Sequence, residues 1–190
     1  MVSSVPRTLV TYEAYASGEA SSEVKHEFVR GEIFAMAGGT PKHAALTAAM
    51  TMLLGAQLRG KPCRPYSSDL RVRIRSADVG AYPDITVICG EPERAPEDTA
   101  SVLNPTLIVE VLSTSTEAYD RGDKFAHYRQ VPSLKEYILV SQHKQAIERH
   151  VRNQDGSWTM TAFGPDAHLT LTAIGCELSV NDVYEGIQLR

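Results

Sequence analysis

Apolar residues recur along this chain in two rhythms, one near 3.6 and one of 2, and the changes of rhythm divide it into elements. Thr11 offers a capping hydroxyl for a short helix running towards Ser17, with Glu13 in its first turn and Gly18 as its stop. The segment HEFVRGEIFAMAGG predicts a hairpin turning at Arg30 and Gly31, with Gly38 and Gly39 ending its second strand. Pro41 opens a long helix to Leu58, in which Leu46, Met50, Leu53 and Leu54 fall at helical spacing. The alanines between them permit close packing on a sheet.

Further along, LRVRIR alternates Leu70, Val72 and Ile74 with Arg71, Arg73 and Arg75, which predicts a strand with one buried and one basic face. DITVIC, LIVEVLS and EYILV are continuous apolar runs, the pattern of strands covered on both faces. Pro83 restricts Tyr82 to an extended conformation at the entrance of the first. A polar, Pro-rich loop is expected from Gly90 to Pro105, and one helix over AYDRGDKFAHYRQ, ended by Pro132. AIERHV and SWTMTAF are joined through an Asn153 to Gly156 turn, and LTLTAIGCELSV leads to a short helix near Val180 to Glu185. The order predicts a mixed α/β layer fold: an α+β arrangement of helices flanking a central mixed β-sheet, with extra strands at both ends. A length of 190 residues fits a single domain over 1–190.

Composition narrows the class. The hydrophobic fraction of 43% and charged fraction of 22% are ordinary for a soluble globular protein. No apolar run approaches the ~20 residues that span a bilayer, so no membrane partner is expected. MVSSVPRTLVTYEAY has no long apolar core after a basic start, which argues against a secretory leader and for a cytoplasmic chain. Cys63, Cys89 and Cys176 are scattered and form no CxxC pair, so they read as free thiols. A net charge of −4 argues against coating nucleic acid by bulk electrostatics. Locally, however, Arg59, Lys61, Arg64, Arg71, Arg73 and Arg75 stand against the single acid Asp69, before an acidic stretch from Glu91 to Asp98. The basic stretch reads either as a ridge that tracks a phosphate backbone or as a solvated strand face.

The chemistry begins with Glu110, a carboxylate inside LIVEVLS. An unpaired charge in an apolar interior is so costly that the group takes up a proton, finds a cation or sits where the strand opens into a cleft. Asp84 similarly opens DITVIC. If the two strands are neighbours, the carboxylates converge, and a divalent cation such as Mg²⁺ or Mn²⁺ would relieve their repulsion. The competing reading is that Asp84 caps a turn and Glu110 pairs with an arginine.

A Pro-Asp opening one apolar strand, a central Glu in the next and the helix between strands resemble the PD-(D/E)XK nuclease superfamily. HEFVRGEIFAMAGG with His43 shortly after, YPDITVIC, and PTLIVEVLSTSTEAYDRGDKFAHYRQVPSLKEYILV are similar to the Uma2 family within it. The resemblance covers roughly residues 10 to 185 and implies a restriction-endonuclease-like core with Asp84 and Glu110 as metal ligands. The lysine that E-x-K would place at position 112 is replaced by Leu112; Lys124 is the candidate substitute from the following helix. Its competing role is an exposed i, i+4 ion pair with Asp120. Glu27 and Glu32 in the hairpin, His43 at the start of the long helix and Tyr128 one turn beyond Lys124 are further candidates, each with a plain surface, capping or packing alternative. The implied activity is a Mg²⁺-dependent endonuclease hydrolysing phosphodiester bonds in DNA, working as a homodimer. The alternative is a nuclease-like module that binds nucleic acid or protein without turnover.

Overall fold

The apolar runs that open with Ile85, Leu107 and Glu136 lie side by side in the computed structural model, which describes residues 9–36 and 38–189. In chain order the elements are α1 (Tyr12–Glu19), β1 (His26–Val29), β2 (Glu32–Ala35), α2 (Pro41–Leu58), β3 (Cys63–Ser67), β4 (Arg71–Ile74) and β5 (Val79–Ala81). There follow β6 (Ile85–Cys89), β7 (Arg94–Ala95), β8 (Asp98–Val102), β9 (Leu107–Leu112), α3 (Glu117–Arg121) and α4 (Asp123–Tyr128). The chain closes with β10 (Glu136–Ser141), β11 (Ile147–Arg152), β12 (Trp158–Phe163), β13 (His168–Leu171), β14 (Cys176–Ser179) and α5 (Val180–Tyr184).

Local chemistry sets the boundaries near the site. Thr11 Oγ1 accepts from the Ala14 amide at the start of α1, and Thr40 Oγ1 accepts from the His43 amide at the start of α2, where Pro41 takes the first helical position. Arg30 and Gly31 both have positive φ, 49° and 90°, the backbone that suits a two-residue hairpin turn. A Cβ on Gly31 would also stand 2.9 Å from the Leu9 side chain, so glycine is required there twice over. The second strand ends at Ala35, before the glycines expected to stop it.

One mixed sheet has the order β12-β11-β10-β9-β6-β3, with β9 and β10 parallel and the remaining pairs antiparallel. A second sheet, β2-β1-β5-β4-β8-β7, carries the hairpin at its edge, and β13 with β14 forms a ribbon. This is the expected mixed α+β architecture. Leu107, Val109 and Val111 of β9 pack with Leu46, Met50 and Leu54 of α2. Ile108 and Leu112, on the other face, join a separate core with Phe125, Tyr128 and Tyr137. Alternation therefore puts Glu110 on the face turned towards α4.

Four expectations need correcting. The stretch from Gly90 to Pro105 contains β7 and β8; short strands without an apolar run leave little periodic signal. The helix expected over AYDRGDKFAHYRQ is broken at Gly122, whose amide bonds back to Ala118 and Tyr119, giving α3 and α4. Cys63 and Cys89 are not free thiols: they are directly opposed on antiparallel β3 and β6 and form a disulfide, while Cys176 is free and buried.

Of the three arginines expected on a basic strand face, Arg71 and Arg73 are buried in ion pairs and Arg75, just past the end of β4, stays about half exposed. Arg71 lies 2.7 Å from Asp98, Arg73 lies 2.8 Å from Asp78 and stacks over the Tyr12 ring, and Arg75 pairs with Glu97. All four residues of β4 are buried, because α1 lays the Tyr15 and Tyr12 rings against Arg71 and Arg73 on the side that alternation assigned to solvent, while β8 pairs with β4 at its edge. Asp98 also accepts from the Tyr12 hydroxyl at 2.7 Å. Burial pushes its carboxyl up, but the hydrogen bonds from Tyr12 and Arg71 outweigh burial and hold it below its ordinary value of 3.8. A depressed carboxylate contributes stability above its unfolded value that is lost as pH falls through the folded one. Asp98→Asn is accordingly expected to lower stability by about 1.5–3 kcal/mol at pH 7 in urea denaturation. The gap to wild type should close below pH 4, and a gap independent of pH would contradict this assignment.

Candidate active site

The register of the β6–β9 pair, with Ile85 opposite Val109, puts Asp84 at the mouth of β6 next to Glu110. The Asp84 amide donates to Glu110 Oε2 at 3.3 Å, and Asp84 Oδ2 accepts from the Val111 amide at 2.7 Å. The two strand ends are thus stitched together by the carboxylates themselves. His43 Nε2 lies 3.1 Å from the same Asp84 oxygen, reached from the first turn of α2. That hydrogen bond raises the His43 pKa, with burial opposing it.

Lys124 comes from α4 and supplies the cation that Glu110 lacks within its own strand. Its Nζ is 3.0 Å from Glu110 Oε1, 3.1 Å from Glu27 Oε1 and 3.7 Å from Asp120 Oδ1. Tyr128, one turn further, donates its hydroxyl to Glu110 Oε1 at 3.0 Å. Glu27 also accepts from the Tyr82 amide. Lys124 is 7% exposed and Asp120 3%, so their contact is not an exposed surface pair, and the nearer partners are Glu110 and Glu27. Glu110 pairs with this lysine, not with an arginine.

The charges do not balance. Glu27, Asp84, Glu110 and Asp120 gather on a cleft where Lys124 is the single ammonium among the described lining residues. Burial pushes the Glu110 carboxyl well up; Lys124 opposes the rise, while Asp84, Asp120 and Glu27 add to it. Asp120 is raised by burial in the same way. Lys124 is driven the opposite way by burial, but the surrounding carboxylates, led by Glu110, win and hold it protonated. The cleft encloses about 660 Å³ and opens between the hairpin, the start of α2 and α3–α4.

Among the described residues, no three His, Cys, Asp or Glu side chains form a ready metal shell. Hard oxygen donors and excess negative charge nevertheless fit Mg²⁺ or Mn²⁺, ions commonly held by one or two carboxylates, with water and substrate phosphate completing the shell. Asp84 and Glu110 are the residues that could hold one.

Asp84, Glu110, Lys124, His43 and Glu27 all meet at this cleft, and Tyr128 supports it from behind. Glu32 is not among the cleft-lining residues. Asp120 is the participant that sequence reading passed over as a site residue; its i, i+4 spacing to Lys124 was the available signal.

The chain matches the family model Uma2, described as "Putative restriction endonuclease", over residues 9–181. Two proteins of Synechocystis sp. (strain ATCC 27184 / PCC 6803 / Kazusa) are similar to it. "Uncharacterized protein slr1290" is 35% identical over 97% of this chain and 96% of its own. "Uncharacterized protein sll1609" is 35% identical over 80% of this chain and 86% of its own. Among solved structures, "a putative nuclease belonging to DUF820 from Anabaena variabilis ATCC 29413" superposes with a TM-score of 0.75 at 17% identity. That superposition covers 92% of this chain and 97% of the other and shows a shared fold.

Proposed function

The chain belongs to the Uma2 family, and from that premise we propose that it is a divalent-metal-dependent endonuclease that hydrolyses phosphodiester bonds in DNA. The observation that carries the reading is the meeting of Asp84 and Glu110 at adjoining strand ends, with Lys124 Nζ 3.0 Å from Glu110 in an open cleft. A structural ion pair needs one carboxylate; this lysine is surrounded by several.

Asp84 and Glu110 would hold Mg²⁺ or Mn²⁺. Such an ion, when bound, would supply an acidified water for attack and Lewis-acid stabilisation of the phosphate. Lys124 Nζ, fixed between Glu110 and Glu27, is placed to orient the attacking water and to meet charge developing on the phosphate oxygens. His43 holds Asp84 Oδ2 in place, and Tyr128 fixes the Glu110 oxygen that Lys124 shares. The lysine thus serves the cleft from α4 instead of from β9, where Leu112 fills the hydrophobic core. A homodimer would bring two such clefts to the two strands of a duplex. A DNA substrate would favour a cytoplasmic protein, and among the described residues no helix is long and apolar enough to cross a membrane.

The test is incubation of the protein with supercoiled plasmid, linear duplex and single-stranded circular DNA in millimolar Mn²⁺ or Mg²⁺. Cleavage of at least one substrate, abolished by chelator and by Asp84→Asn, is expected. Intact DNA in all three, with folded wild-type protein, would contradict the proposal and favour a binding module.

A further inference from the structure

Directly opposed residues of an antiparallel pair project from the same face of the sheet. The residue opposite Glu27 across the hairpin is Phe34. Glu27 reaches Lys124 from this face, so the face is turned into the cleft, and Phe34 lines that cleft while remaining 48% exposed. Isolated exposed apolar side chains are ordinary. Phe34 differs in joining Val29, Met36 and Tyr119 along an apolar wall beside the carboxylates. Phe28 and Phe125 pack among neighbouring rings, whereas among the described residues no ring stacks on Phe34.

Charge decides what such a wall can take. Glu27, Asp84, Glu110, Asp120 and Asp123 line the cleft, and Lys124, the single Lys or Arg among its described lining residues, is held by Glu110 and Glu27. A phosphate chain laid along the apolar wall would find no other Lys or Arg there and would face several carboxylates. A nucleobase is flat and uncharged, and stacks on an aromatic face whatever its identity. The 660 Å³ cleft is large enough for a nucleotide-sized group, within the roughly 300–1,000 Å³ of small-ligand sites. A base paired within a duplex is stacked on its neighbours and cannot reach such a wall.

We infer that Phe34 and its apolar neighbours form a stacking subsite for an unpaired nucleobase adjoining the scissile phosphate, so the DNA entering the cleft is single-stranded or locally unpaired. This rests on the nuclease reading above and narrows its substrate. Phe34 acts by holding the base and touches no reacting atom.

The experiment measures cleavage in Mn²⁺ of a labelled single-stranded oligodeoxynucleotide, of the same strand fully paired, and of a duplex carrying a short unpaired bubble. Wild type, Phe34→Ala and Phe34→Trp are compared after a check of folding by circular dichroism. The single strand and the bubble should be cut at least about tenfold faster than the paired duplex. Phe34→Ala should raise KM for the single strand about tenfold with kcat little changed, and Phe34→Trp should restore it. Equal cleavage of paired and unpaired DNA, unmoved by Phe34→Ala, overturns the stacking subsite and leaves the nuclease standing. Cleavage of none of the three, together with no Mn²⁺ binding at Asp84 and Glu110, removes the nuclease reading and this subsite with it.

Discussion

Lys124→Met is expected to lower stability by about 3–5 kcal/mol and to abolish cleavage. The methionine fills the space of the lysine stem but leaves Glu110, Glu27 and Asp120 facing one another in a buried setting with no ammonium between them. Removing one partner of a buried ion pair is far more damaging than replacing the whole pair, because the remaining charge keeps its desolvation cost. Here several carboxylates are stranded at once. Urea denaturation followed by circular dichroism reads the loss, and a change below about 1 kcal/mol would contradict the arrangement. Adding Glu110→Gln to the same chain should recover part of the stability, since the most buried stranded charge is then gone, and the two substitutions should be clearly non-additive.

Glu110→Gln alone is expected to do the opposite to stability while still destroying activity. Gln keeps the shape, its oxygen still accepts from the Tyr128 hydroxyl at the cost of the long 3.3 Å bond from the Asp84 amide, and Lys124 retains Glu27 and Asp120. What disappears is a carboxylate that burial pushes well above its ordinary range. For such a group the stabilising neutral form is fully present below the unfolded pKa and is lost as pH rises through the raised folded value. The variant should therefore match or exceed wild type in stability at pH 7 without metal, and its advantage should shrink on acidification. Cleavage should fall on the order of a thousandfold or more if Glu110 holds the proposed ion, because several kcal/mol of charge stabilisation would go with it. Retained cleavage with lowered stability would make Glu110 a structural residue.

The parts of this molecule that a local pattern encodes were legible in its sequence. Apolar runs located β6, β9 and β10, Thr11 and Pro41 located the starts of α1 and α2, and Arg30 and Gly31 located the hairpin turn. The adjacency of Asp84 and Glu110 followed from treating sequential strands as neighbours, although β7 and β8 are inserted between them and leave for the other sheet. Pairings made by tertiary contact were not legible. Arg71, Arg73 and Arg75 alternate like a solvent face, yet the β7–β8 hairpin after β6 folds back and supplies Asp98 to Arg71 and Glu97 to Arg75. Cys63 and Cys89 carry no spacing signal because the register of β3 on β6 alone brings them together. At the cleft, the helical spacing of Asp120 and Lys124 was visible, but their burial was not, since it depends on the sequence-distant hairpin bringing Glu27 to Lys124. Glu27 illustrates the same limit: a hairpin glutamate looks like surface charge until the other side of the cleft is in place.

The central claim is that Asp84 and Glu110 hold a metal ion together. Its most direct measurement is calorimetric titration of Mn²⁺, to millimolar concentration, into folded wild type, Asp84→Asn and Glu110→Gln, with and without an uncleavable phosphorothioate oligodeoxynucleotide. One site in wild type, lost in both variants, is the expected result. No binding by wild type even with the oligonucleotide present, or binding that survives both substitutions, would contradict it.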